Sequence, residues 1–494
     1  MTTVTDISTL IDPAVFAGKI FIDGEWVPGG AGQIDSVAPA TGEVLAPVGM
    51  ASPEDVARAA KSAAAAQKEW AAMPHPARAA VLRRAGMLWE QYADEVAGWN
   101  IREVGAIPPL AGFALHVTAA ECYEASSLPS APLGTVLSSE EPRLSMTQQV
   151  PVGVVGVISP FNVPLILGIR AVAPALALGN AVLLKPDPRT VITGGVAFVR
   201  IFEEAGLPAG LLQLVPGGAE VGQALVEDPH VRVIAFTGST RAGRAVGELA
   251  GRHLTRAHLE LGGNSAFIIR EDADVDEAVN LATWGSFLHQ GQICMTVGRH
   301  IVHEAVFDQY VEKLAAKADS MFVGDPAAGP VHLGPLIDEV QRDRVHALVM
   351  DAVANGAELK AGGSYEGLHY RPTVLANTPA DAPAYCEEVF GPVASVVSFS
   401  TDEEAVALAT ATDYGLSLGI VTRDALAGWE LAQRIPTGIV HINDQTVNDE
   451  ANTPFGGTGA SGTGSRHGGA QANIDAFTET RWITMRREPG QYPL

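Results

Sequence analysis

VGVVGVISPFNVPLILGIRAVAPALALGNAVLLK, residues 152–185, holds a single charge, Arg170, before it reaches Lys185. On length alone such a run would span a membrane. Pro160, Pro164 and Pro174 interrupt it, however, with Gly168 and Gly179 between them. A buried strand over 153–158, a crossover helix over 165–178 and a second strand over 181–185 account for it better. Parallel strands covered on both faces read as continuous apolar runs rather than alternating ones.

The same rhythm continues downstream, with helices over 191–205 and 219–227 and strands over 211–215 and 231–236. This alternation predicts a parallel, doubly wound sheet that binds ligands at the C-terminal ends of its strands. A second α/β unit follows: a helix over 274–289, a strand over 299–303, a helix over 304–318, and further elements over 396–399, 402–411, 418–421 and 438–442. Upstream, Ser52-Pro53-Glu54-Asp55 places a capping serine, a first-turn proline and two acids at the start of a helix. That helix runs to 73, one further helix spans 77–103, and 135–150 reads as strand. There is no low-complexity tail and no internal repeat.

A chain of 494 residues exceeds what one core supports, so two large units and an appendage are expected. The net charge of −24 makes nucleic acid and anionic membranes poor partners. Three cysteines, Cys122, Cys294 and Cys386, are too few and too scattered for a disulfide framework and fit a reducing compartment. No Cys/His cluster points to a metal. Residues 1–12 carry Asp6 and Asp12 but no lysine or arginine, so they lack the basic start of a signal peptide, and a cytoplasmic location is the default expectation.

The chemistry is concentrated in Leu259-Glu260-Leu261-Gly262-Gly263-Asn264 and Gly291-Gln292-Ile293-Cys294. A thiolate makes covalent adducts with carbonyls, and a carboxylate activates the water that releases them. Glycines beside both allow close backbone approach. Five further motifs accompany them: Ser159–Leu165 (SPFNVPL), Leu184–Pro186 (LKP), Phe236–Thr240 (FTGST), Glu387–Val393 (EEVFGPV) and Pro454–Gly457 (PFGG). In this order the motifs resemble the NAD(P)-dependent aldehyde dehydrogenase superfamily from end to end. The wider context at 185–190 and 443–450 is similar to bacterial benzaldehyde, vanillin and salicylaldehyde dehydrogenases.

The resemblance implies a Rossmann-type cofactor domain over 1–135 and 152–261 and a catalytic domain over 262–467. A small β oligomerisation arm over 136–151 and 468–494 would make a homodimer or homotetramer. Cys294 would be the nucleophile, Asn162 an oxyanion donor and Glu260 the base that hydrolyses the thioester. Read alone, Asn162 is equally a turn residue and Glu260 a turn cap. Ser159, Pro160, Phe161, Lys185, Gly238, Ser239, Gly262, Glu388 and Phe390 would hold the cofactor. The Thr237–Gly243 turn lacks G-x-G-x-x-G spacing, so by itself it is also an ordinary strand–turn–helix junction. Many NAD-preferring relatives have an acid where this chain has Pro188. NAD is therefore expected with NADP tolerated, and Arg189 offers a cation for a 2′-phosphate. Val163, Leu167, Arg170, Ile293, Met295, Val447 and Phe455 would line the tunnel for a small aldehyde; Arg170, the one charged member, would either pair with an anionic or phenolic substrate or, as is commoner, point away into a structural ion pair. Their apolar character suits an aromatic aldehyde, with an aliphatic aldehyde or semialdehyde as the alternative and a non-catalytic structural protein on this fold as a more distant one.

Overall fold

The computed structural model describes residues 9–132 and 134–493, so the acidic start of the chain over 1–8 lies outside it. The apolar run resolves into the strand Val154–Ile158, the helix Pro164–Ala177 and the strand Ala181–Lys185, all but wholly buried. Among the described residues no helix is long and apolar enough to cross a membrane.

Val154–Ile158 is the third strand of a seven-stranded sheet. On one side lie Ala181–Lys185, Leu212–Leu214 and an N-terminal hairpin, Lys19–Ile22 with Glu25–Pro28. On the other lie Val231–Thr237 and Arg256–Glu260. The strand order therefore reverses beside Val154–Ile158, and at that switch point the parallel strands end on Ser159, Lys185, Thr237 and Glu260. Open α/β sheets bind ligands at such a point.

A second seven-stranded sheet has at its centre Ser265–Ile269, Val297–His303 and Val393–Phe399, with Ser417–Val421 and Ile439–Ile442 beyond. It is parallel except for the pairing of Glu358–Ala361 with Thr373–Ala376. The third sheet joins distant parts of the chain: Thr478–Met485 pairs antiparallel with Leu144–Pro151 along its whole length. The expected 135–150 strand is shorter at its start, with Val136–Leu137 pairing back on it as a separate strand.

The capping box forms as read, with Asp55 N–H donating to Ser52 Oγ at 3.3 Å and Ser52 N–H to Asp55 Oδ2 at 3.0 Å. The single helix expected over 77–103 is instead two, His75–Gln91 and Ala93–Val104, broken at Tyr92 (ψ 18°). The break turns Leu88 and Trp89 on one segment, and Val96 and Trp99 on the other, into the same core. A straight helix could not bury both faces against one sheet. The helix expected over 191–205 begins as a π-helical segment, Ile192–Val196. Buried Glu103 accepts the Ile192 and Thr193 N–H groups there at 2.9 and 2.7 Å.

Candidate active site

Cys294 follows a segment whose backbone the helical pattern misreads. The expected helix over 274–289 ends at Phe287, and His289, Gln290 and Gly291 all take left-handed φ values of 53°, 58° and 67°. For the two non-glycine residues this costs about 1–3 kcal/mol each, and the surroundings offset it. His289 Nε2 donates to the Asn162 carbonyl at 2.8 Å, and burial pushes its imidazole down to about 4, so the ring is neutral. Gln290 Nε2 donates to the Pro335 carbonyl at 2.8 Å while its Oε1 accepts the Gly334 N–H at 3.0 Å. Gln292 Oε1 accepts the Ile337 N–H at 3.0 Å. Replacing Gln290 by Ala orphans a buried N–H and a carbonyl, with an expected cost of about 2–4 kcal/mol. A melting curve and kcat should both fall; an unchanged pair would show that the left-handed run needs no such brace.

This loop carries Cys294 into a cavity of about 330 Å³. Asn162 stands in the same wall, its Nδ2 donating to the Gln292 carbonyl at 2.8 Å. The second hydrogen of that amide remains available. Burial first, then the carboxylates Glu388, Glu260 and Asp449, push the Cys294 thiol up, so at neutral pH it rests protonated. A Cβ at Gly263 would collide with the Cys294 carbonyl, and one at Gly262 with the Glu388 carboxylate, which explains the paired glycines after Glu260.

Six of the seven residues expected to line the tunnel do so: Val163, Leu167, Ile293, Met295, Val447 and Phe455. Arg170 does not. Its Nη2 is bonded to Asp449, its Nε lies 3.5 Å from Glu121, and its guanidinium sits 4.9 Å from the Phe455 ring centroid. Both acids are buried, and the arginine is committed to them rather than to a ligand. The sequence reading also missed Leu110 and Phe113 on one helix, Trp284 on another, and the wall formed by Asp444, Asn448 and Asp449. Phe113 and Trp284 were findable in principle as large aromatics on exposed helix faces, but nothing in the sequence places the two helices side by side.

Glu260 ends the Arg256–Glu260 strand and is buried, but it faces a small separate void beside the main cavity, shared with Arg170, Thr237 and His467. Among the described residues neither carboxylate oxygen meets a hydrogen-bond partner. Burial holds its pKa well above the usual carboxylate range, opposed by the charges of Arg466 and Arg170. Phe455 and Leu167 line both spaces, so only side chains separate the carboxylate from the Cys294 cavity.

The residues expected to meet a cofactor gather at the switch point of the first sheet. Ser239 caps the helix Thr240–His253, its Oγ accepting the Ala242 N–H, and Gly238 N–H donates to the Glu260 carbonyl at 3.0 Å. Lys185 is buried at its strand end, and the Ser159 hydroxyl beside it is buried without a partner. Across the cleft, Glu388 Oε1 accepts the Gly263 N–H at 3.0 Å, and burial raises that carboxyl to about 7. Phe161, next to Pro160, meets Phe390 edge to face at 5.9 Å. An orphaned hydroxyl, a buried ammonium and a helix N-terminus around one cleft suit a polyhydroxylated anion. Arg189 is not free for a 2′-phosphate: Asp187 and Asp338 both pair with it, and it packs over Phe161.

The family model for the aldehyde dehydrogenase family matches residues 26–483. The chain belongs to the aldehyde dehydrogenase family. A vanillin dehydrogenase from Amycolatopsis sp. is 61% identical over 485 residues, covering 98% of this chain and all of the relative. A benzaldehyde dehydrogenase [NAD(+)] from Pseudomonas putida is 48% identical over 97% of this chain and 98% of its own length. Among solved structures, a salicylaldehyde dehydrogenase from Pseudomonas putida G7 complexed with salicylaldehyde superposes with a TM-score of 0.93 at 35% identity, covering 96% of this chain and 99% of that one. In this aldehyde dehydrogenase Cys294 and Glu260 line adjoining spaces that share Leu167 and Phe455.

Proposed function

We propose that this aldehyde dehydrogenase oxidises an aromatic aldehyde to its carboxylic acid with NAD, through a covalent adduct on Cys294. The observation that carries this reading is the Cys294 cavity. It is apolar and aromatic, with Phe113, Trp284 and Phe455 in its walls, and Arg170 lies outside those walls, set against Asp449 and Glu121. A semialdehyde would bring a carboxylate against Asp444 and Asp449 with no cation to meet it. The high identity to a vanillin dehydrogenase and a benzaldehyde dehydrogenase points the same way.

The chain's own residues then act in order. Glu260, raised by burial, takes the Cys294 proton, and the sulfur adds to the carbonyl carbon. Negative charge develops on the aldehyde oxygen, where the free hydrogen of Asn162 Nδ2 and the Cys294 N–H receive it. When bound, the cofactor would accept hydride, and Lys185, Ser159, Pro160, Phe161, Gly238, Ser239, Gly262, Glu388 and Phe390 would hold it. Once Glu260 has released the Cys294 proton to solvent, it removes a proton from the water that attacks the resulting thioester. The C–S bond breaks, and the acid leaves. The division into a cofactor domain, a catalytic domain and an arm belongs to this proposal. So does assembly through the arm, whose Val136, Trp482 and Met485 are exposed.

Initial rates of reduced-nicotinamide formation with benzaldehyde, hexanal and succinic semialdehyde, each run with NAD and NADP, test the reading. The highest kcat/KM is expected for benzaldehyde with NAD. A higher value for hexanal or succinic semialdehyde would overturn the aromatic assignment while leaving the chemistry of Cys294 intact.

A further inference from the structure

We infer that Asp449 is a specificity-determining residue that accepts a hydrogen bond from a hydroxyl on the aldehyde's aromatic ring. The inference rests on the aromatic reading above and narrows it to hydroxylated rings.

The polar wall of the cavity comes from one loop, and its members are not equivalent. Gln445 is turned onto its own loop, with Nε2 donating to the Val447 carbonyl at 2.9 Å and Oε1 accepting the Val447 N–H. Asp444 accepts the Gln445 N–H at 2.7 Å. Asp449 differs. Its side chain is only 8% exposed, yet it forms part of the cavity surface.

Arg170 holds this carboxylate from behind. Nη2 bonds Asp449 Oδ1 and also donates to the Glu450 carbonyl at 3.1 Å, and Arg170 itself stays out of the cavity wall. One oxygen is thereby anchored. Oδ2 accepts no side-chain hydrogen bond among the described residues. The carboxylate is thus fixed in orientation with acceptor capacity left over. It faces the same cavity as Cys294, and its charge acts on the Cys294 thiol.

The charge balance settles which ligand chemistry fits. Arg170 stands between two acids, Asp449 and Glu121, which burial raises (Glu121 to about 7), so the cluster offers a ligand no unopposed positive charge. Such a site disfavours an anion and rewards a donor. A phenolic O–H is a donor that an apolar ring can carry into an apolar cavity. Its bond to a carboxylate is charge-assisted, and such bonds are shorter and stronger than neutral ones. Because Arg170 keeps the carboxylate paired when no hydroxyl is present, an unsubstituted ring is handicapped rather than rejected.

The test compares 3- and 4-hydroxybenzaldehyde with their methyl ethers, which keep the ring and lose the donor. In the wild-type enzyme at least one hydroxy compound should exceed its ether by about 10–100-fold in kcat/KM, the range set by a hydrogen bond to a charged acceptor. In Asp449→Asn the side-chain oxygen stays with Arg170 and an amide donor replaces Oδ2, so the ratio should fall to about 1 or invert. NAD affinity, which Asp449 does not touch, reports whether the variant is folded. The same ratio, measured as aldehyde dissociation constants on the Cys294→Ala protein, needs no turnover and no Asp449 variant. A ratio near 1 in the wild type or on Cys294→Ala overturns the inference, as does a ratio that survives Asp449→Asn. If no aromatic aldehyde is turned over while hexanal is, the aromatic reading falls and takes this inference with it.

Discussion

Cys294→Ala should lower aldehyde oxidation by about 10⁴–10⁶-fold, the scale on which enzymes lose rate when a covalent nucleophile is removed. No other thiol can substitute. Cys122 is wholly buried in the first core, and Cys386 donates to the Ala380 carbonyl at 2.9 Å, away from the Cys294 cavity. Cofactor affinity should stay within about twofold, since Cys294 is not among the groups at the cleft of the first sheet. Turnover by reduced-nicotinamide absorbance and affinity by protein fluorescence quenching read the two separately. Residual turnover near the wild-type rate would remove Cys294 from the chemistry.

Glu260→Gln should separate the two halves of the reaction. Gln keeps the shape of the side chain but cannot take a proton, so hydrolysis of the thioester should slow by about 10²–10⁴-fold. If a base other than Glu260 suffices for the first proton, a rapid-mixing experiment should show up to one equivalent of reduced nicotinamide per site, followed by a stall. If Glu260 serves both steps, the burst itself slows. The wild-type pH profile carries the matching signature. The carboxylate pKa is raised by burial, so the ionised base grows as pH rises through that value, and kcat should climb toward alkaline pH. In Glu260→Gln that limb should vanish. A variant with the wild-type rate and profile would leave the carboxylate with a structural role only.

How much of this the sequence disclosed depends on the distance over which each signal acts. The strands around Val154–Ile158 were legible because their residues are apolar on both faces, a property each strand carries by itself. The break at Tyr92 and the left-handed run at His289 and Gln290 were not. The left-handed run is held by partners far along the chain, Asn162 and Pro335, and the break at Tyr92 serves the burial of both segments in one core. At the site, Cys294, Asn162 and six of the tunnel residues came from motifs. Arg170 went astray because its partners, Glu121 and Asp449, come from opposite ends of the chain. The aromatic mouth was invisible for the same reason: Phe113 and Trp284 come from helices far apart in the chain and line one cavity only in the folded state.

That mouth has a consequence for how such an enzyme changes over generations. Phe113 and Trp284 are 41% and 48% exposed, so each gives the folded state far less than a core aromatic does. Surface substitutions of this kind usually alter stability by no more than about 0.5 kcal/mol. The residues first met by an incoming aldehyde are therefore among those the chain can exchange most cheaply. The braced loop under Cys294 is the opposite case, tied through His289, Gln290 and Gln292. Substrate range can drift at the rim while the reacting centre stays fixed, and a lineage can try new aldehydes without risking its fold.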